Sequence, residues 1–242
     1  MSREPTAYSE SGDPIYDYAG EERPDPEIVT GDGAVIEAIS GHIERHLGKV
    51  DGVFHEIVSD RVHIDVHIVA PSDERPFYSL VTSGMSDLPM AAPEGAEDMR
   101  FAELCVFLPP EWPLSQGDFD SESNYWPIRW LKQLARFPHL AQTWLSCGHT
   151  VPNGNPPAPI ADTGFTGMML ISPMTAPPEF LELQADGKTI HFFSLMPLFP
   201  EEMDFKLKKG AEALLLRMHK KDVWDVIDTG RPNVGRKRWG IF

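Results

Sequence analysis

The chain has 242 residues, a formal net charge of −16 and two cysteines, Cys105 and Cys147. A chain of this length buries roughly 70% of its unfolded surface without staples, and two cysteines exclude a disulfide framework. The acidic balance excludes phosphate backbones as a natural partner; with no charged-then-apolar opening segment and no apolar run near ~18 residues, the expectation is a cytoplasmic protein without a membrane span.

Residues 1–33 carry nine acids against Arg3 and Arg23, with Pro, Gly and Ser between them. Their apolar residues have no period, so they do not repay the entropy of ordering. The expectation is a flexible acidic arm with Tyr8, Tyr16 and Tyr18 as docking points. Asp32 is placed to cap a helix over 34–47, where Val35, Ile36, Ile39, Ile43 and Leu47 share a face and Gly48 ends the run.

The period then changes to two. Residues 52–58 and 62–69 read as strands joined tightly at Ser59-Asp60-Arg61. Residues 77–82 and 101–108 read as two more, separated by a turn-rich loop over 83–100. Pro127 opens a second helix, with Trp130, Leu131, Leu134 and Phe137 on its apolar face and Pro138 as its stop. Residues 148–164 read as loop, 165–171 and 190–195 as strands, and Pro200 opens a last long helix that ends near His219 and kinks at Gly210. Arg231 to Arg238 make a basic, solvated end. The domain therefore spans 34–232, with a basic tail over 233–242. Short turns between consecutive strands predict an α/β fold of the α+β type: a mixed, largely antiparallel sheet packed against helices.

Four local patterns bear on chemistry. In a strand, His63, Asp65 and His67 point the same way. Two imidazoles and a carboxylate suit Zn²⁺ or Fe²⁺, but three ligands spaced at i and i+2 converge poorly on one ion. The plainer reading is a polar outer face opposite buried Val62, Ile64, Val66 and Ile68. Gly84-Met-Ser-Asp87 lacks the second glycine of a nucleophile elbow, having Leu88 in its place, and reads better as a turn. Cys147 and His149 are too close in sequence to form a thiol–base pair readily, and Cys105 alternates within a strand as a packed side chain. Glu103, inside the apolar run 101–108, requires hydrogen-bond partners if buried and reads as a structural anchor.

Thr82-Ser-Gly-Met-Ser-Asp-Leu88 resembles a segment of Suppressor of fused domains. Phe101-Ala-Glu-Leu104 resembles that family's next strand. Trp130 to Phe137 followed by Gly148-His-Thr-Val151 is similar to its helix and the loop after it, and His63 to His67 with the closing Arg231 fit the bacterial branch. The match runs from about 35 to 232. The resemblance implies a mixed α/β binding module, not an enzyme. In animals such a domain holds Gli transcription factors by a short peptide clamped between two domains. This chain matches only the N-terminal one, and Leu80 and Pro89-Met90 depart from the peptide-contacting pattern, which argues against a Gli-like ligand.

Single-domain bacterial members look like immunity proteins that neutralise toxins, and an acidic inhibitor steers onto a basic toxin. The expected binding residues are Ser83, Gly84, Met85, Ser86, Asp87, Glu103 and His149, beside 83–90 and 148–160, with no cofactor and no metal. The alternatives are a metal-dependent enzyme built on His63, Asp65 and His67, and a scaffold that adds a peptide to a sheet edge in the 162–172 region.

Overall fold

The computed structural model describes residues 4–18, 33–55 and 62–236. Chain order runs β1 (Ala7–Tyr8), β2 (Pro14–Ile15), α1 (Gly33–His46), β3 (Val50–Phe54), β4 (Asp65–Val69), β5 (Tyr78–Ser83), β6 (Ala102–Leu108), α2 (Glu122–Leu140), β7 (Thr150–Pro152), β8 (Gly167–Ile171), β9 (Glu182–Ala185), β10 (Lys188–Leu198), α3 (Pro200–Lys209) and α4 (Ala211–His219). The main sheet has the order β3-β4-β5-β6-β10-β8-β7, and β9 pairs with the start of β10. Every pair is antiparallel except β6–β10, which is parallel. A parallel return needs a long crossover, and here it carries α2 and three strands.

Side-chain alternation along β10 explains the layers. Phe193 and Leu195 join Trp126, Leu131 and Leu134 of α2 on one face. Ile190 and Phe192 join Val35, Ile39 and Ile43 of α1 on the other. Further along that second face, Met196 and Leu198 meet Leu214 and Met218 of α4. A strand covered on both faces reads as a mostly apolar run; β10 is buried from Ile190 to Leu198, with only His191 and Ser194 polar among those residues. Each fully buried Leu, Ile or Phe contributes about 1.5–3 kcal/mol.

Several expectations are corrected. The final helix is two, because Gly210 at φ 85° breaks the run between α3 and α4. α2 starts at Glu122 and runs through both Pro127 and Pro138. The face led by Trp126 and Ile128 offsets the ladder bonds the prolines remove. The 148–164 loop contains β7, paired with β8 at Thr150↔Met169. β8 is consequently interior, and its region offers no free edge for an added peptide. β9 went unread, although Asp186-Gly187 marks its hairpin: both residues have positive φ, 49° and 70°, as a type I′ turn requires.

The N-terminal segment is attached where a free arm was expected. Residues 4–18 form the β1–β2 hairpin, with Ala7 opposite Ile15. The Ser11 amide donates to the Leu207 carbonyl at 3.0 Å. Asp13 pairs with the nearly buried Lys206 at 3.2 Å. Tyr18 bonds Thr143 at 2.7 Å and packs edge-on against Phe137. Asp32 and the Ser59-Asp60-Arg61 connection lie outside the described residues.

The basic end is also docked as far as Arg236. Arg231 forks onto Glu202, Nη1 to Oε1 at 2.7 Å and Nη2 to Oε2 at 2.6 Å, and also donates to the Pro197 carbonyl. Its guanidinium lies over the rings of Phe165 and Phe199. Asn233 and Arg236 both bond Glu201. Residues 237–242 lie outside the described residues. No described helix is long and apolar enough to cross a membrane.

Candidate functional site

β5 ends at Ser83, and Gly84 turns the chain with φ 107° into a single 3₁₀ turn, Met85–Asp87. Glycine is required there for two reasons: the positive φ, and the His63 carbonyl oxygen occupying the space a Cβ would fill. The turn wraps around Glu103 of β6. Glu103 Oε1 accepts from the Gly84 amide at 3.0 Å, the Ser86 amide at 2.9 Å and the Ser86 hydroxyl at 2.7 Å. Oε2 accepts from the Thr82 hydroxyl at 2.6 Å, and the Leu104 amide donates to that same Thr82 oxygen. His139 of α2 closes the assembly by donating to the Met85 carbonyl at 2.9 Å. The Glu103 carboxyl is thus the anchor its position in an apolar strand demands.

Burial outweighs these four donors and pushes Glu103 up from its ordinary 4.5 to about 7. Between those values the native state keeps a proton that the unfolded chain has released. This group's contribution is therefore complete below pH 4.5 and is lost as pH rises through 7. Glu103→Gln is expected to remove that dependence. Urea titrations at pH 5 and pH 8 are expected to show the gap between variant and wild type moving by up to about 3 kcal/mol in favour of the variant at the higher pH. A gap that stays constant would mean that the native carboxyl does not titrate in this range.

The geometry revises the expected contact surface. Ser83, Met85, Ser86 and Glu103 are all buried, as is Gly84, so their side chains do not reach a docked partner. Asp87 is partly exposed. Ser86 donates its hydroxyl to a buried carboxylate and is not presented to a substrate. His149 belongs to a different neighbourhood. Its ring packs edge-on against Trp144, and burial, then Lys206, holds its pKa below the ordinary histidine value. Cys147 is exposed and Cys105 is buried.

The His63, Asp65, His67 trio does not assemble. The face expected to be solvent-exposed is covered: Asp65 and His67 are both buried. His67 Nε2 pairs with Ser83 Oγ at 2.9 Å, and burial lowers its pKa despite the nearby Asp65 charge. In its place His55, just past β3, turns toward Asp65. The missing signal was strand register. Phe54 pairs with Val66, so continuing that register one residue past the end of β3 sets His55 beside Asp65.

Elsewhere an open cleft of about 660 Å³ lies between the Pro109–Pro113 stretch and the Asp222–Pro232 stretch. Trp112, Trp224, Glu111, Asp222 and Asp228 line it. Trp224 is 43% exposed, a large apolar surface to leave in water. The cleft's lining base, Arg231, is already neutralised by Glu202. Sequence reading missed this site because its walls are more than a hundred residues apart.

A family model described as Suppressor of fused protein (SUFU) matches residues 60–232. Among solved structures, a protein described as a SUFU homologue from Neisseria gonorrhoeae FA 1090 shares 18% identity at TM-score 0.59, over 83% of this chain and 96% of that one. A Sufu–Fu complex structure matches at 13% identity and TM-score 0.57, over 83% and 92%. Drosophila Suppressor of Fused matches at 14% identity and TM-score 0.56; 87% of this chain is covered, but only 52% of the Drosophila chain. A search of curated proteins finds no match. At these identities the structures establish the fold, and the family model, which spans well over half the sequence, establishes the rest: the chain belongs to the Suppressor of fused protein (SUFU) family.

Proposed function

We propose that this chain is a non-catalytic protein-binding module, an immunity protein that captures a basic toxin. The carrying observation is the cleft between Trp112 and Trp224, rimmed by exposed Glu111, Asp222 and Asp228. An exposed tryptophan beside a concave wall is the usual anchor of a protein interface. The acids around it, on a chain of net charge −16, favour a partner of opposite sign and speed the encounter. The solved Sufu–Fu complex supports a partner-binding role for a relative of this fold. The sealed turn around Glu103 gives the module rigidity, which lowers the ordering cost of association.

The test is binding and neutralisation. The product of the adjacent gene is expressed with and without this chain, toxicity is scored, and affinity is measured on purified proteins. Trp224→Ala is expected to weaken binding roughly 30-fold, as loss of a hot-spot anchor does. Asp228→Lys is expected to slow association at low salt and to have little effect at high salt. Neutralisation that survives both changes would move the contact surface elsewhere. A neighbour that is neither toxic nor bound would end the immunity reading.

A further inference from the structure

We propose that His55, His63 and Asp65 form a binding site for a zinc-class transition-metal dication. β3 and β4 run antiparallel with Phe54 opposite Val66. That register sets His55 opposite Asp65, while His63 precedes Asp65 by two residues on its own chain segment. Two ligands come from one strand and its lead-in, and the third comes from the neighbouring strand. This arrangement avoids the divergence that defeats three ligands in line on a single strand.

The side chains are already gathered. His55 Nδ1 is 3.0 Å from Asp65 Oδ2, and His63 Nε2 is 3.0 Å from Asp65 Oδ1. All three potential ligand atoms lie within 4.8 Å of one another. Ligands at zinc bond lengths of about 2.0–2.1 Å in a tetrahedron stand roughly 3.3–3.5 Å apart. A small turn of the 72%-exposed His55 side chain closes the difference. Asp65 is only 8% exposed, so it is held in place and partly stripped of water. Two imidazoles and one carboxylate are a donor set for Zn²⁺, Co²⁺, Ni²⁺ or Fe²⁺ and leave at least one coordination position open. His67 is not gathered with these three: its Nε2 points to Ser83 at 2.9 Å.

A bound ion would tie the end of β3 to the lead-in of β4. It would also hold His63, whose carbonyl oxygen fills the space beside Gly84. The inference is independent of the partner-binding role and needs no turnover.

Chelator-stripped protein is titrated with ZnCl₂ by calorimetry, with CoCl₂ by visible spectroscopy, and with both by thermal melting. The expected result is one equivalent bound per chain, a Co²⁺ spectrum of a low-coordinate nitrogen–oxygen site, and a melting point raised by about 5 °C at a hundredfold excess over Kd. His55→Ala is expected to abolish stoichiometric binding while lowering the metal-free melting point by no more than about 2–4 °C, because His55 is largely exposed and Asp65 keeps its contact with His63. Asp65→Asn is expected to do the same to binding. His219→Gln, at an exposed histidine outside the cluster, is expected to bind as wild type. The proposal is overturned if neither metal shifts the melting point or releases heat. It is equally overturned if stoichiometric binding persists in His55→Ala and Asp65→Asn.

Discussion

Gly84→Ala is expected to cost more than 4 kcal/mol and to leave little native protein at 37 °C. Two independent penalties act at one backbone position. The φ of 107° lies where an L side chain is strained, and strain of this kind costs about 1–3 kcal/mol. The added Cβ also overlaps the His63 carbonyl oxygen, a backbone atom that yields only if the lead-in to β4 moves. Such a movement pulls on Ile64 and Val66, both fully buried in the main core. It also disturbs the Gly84 and Ser86 amides that satisfy Glu103. Urea denaturation followed by circular dichroism measures the loss. If the variant does not accumulate, Ser86→Ala gives a milder reading of the same turn. It removes one hydroxyl donor from a buried carboxyl, leaves the Ser86 amide donating to it, and is expected to cost about 1–3 kcal/mol. A Gly84→Ala protein of wild-type stability would show that the His63 carbonyl does not sit against this turn.

Arg231→Met is expected to cost about 3–5 kcal/mol, because it leaves a fully buried carboxylate at Glu202 without its counter-charge. The amides of Phe199 and Val234 still donate to Glu202, but they do not replace a bidentate guanidinium. The double change Arg231→Met with Glu202→Leu is expected to recover most of the loss, since desolvating an ion pair roughly cancels its attraction. The recovery is incomplete because Glu202 also holds the first turn of α3 through the Phe199 amide. The single variant is expected to unfold at lower urea with an unchanged slope. A loss below about 1 kcal/mol would place the pair in water, contrary to its burial.

Both large effects come from residues whose importance was only partly legible in the sequence. Gly84 was readable as a turn, since glycine after a strand and before Ser-Asp has a local meaning. That His63, 21 positions earlier, fills the space of its missing Cβ was not. Arg231 read as the start of a solvated basic end, because it opens the basic run that continues to Arg238. Its partner Glu202 is 29 residues back and meets it only when the C-terminal segment returns to the first turn of α3.

The same division runs through the whole molecule. Short-range periodicity was enough for α1, for β4 to β6, for the apolar face of α2 and for the run that became β10, because period 2 and period 3.6 are written into neighbouring residues. Composition sufficed for the acidic character, and the demand that Glu103 be hydrogen-bonded followed from its apolar flanks. Pairing between distant segments was decided only in three dimensions. β7 exists because β8 supplies its ladder, the N-terminal segment is held because Lys206 and Thr143 receive it, and the cleft exists because the Pro109–Pro113 and Asp222–Pro232 stretches are brought to face each other. The histidine cluster makes the point most sharply. Counting along one strand selected His67, whereas the β3–β4 register selected His55, and register is a relation between two segments that neither segment encodes alone.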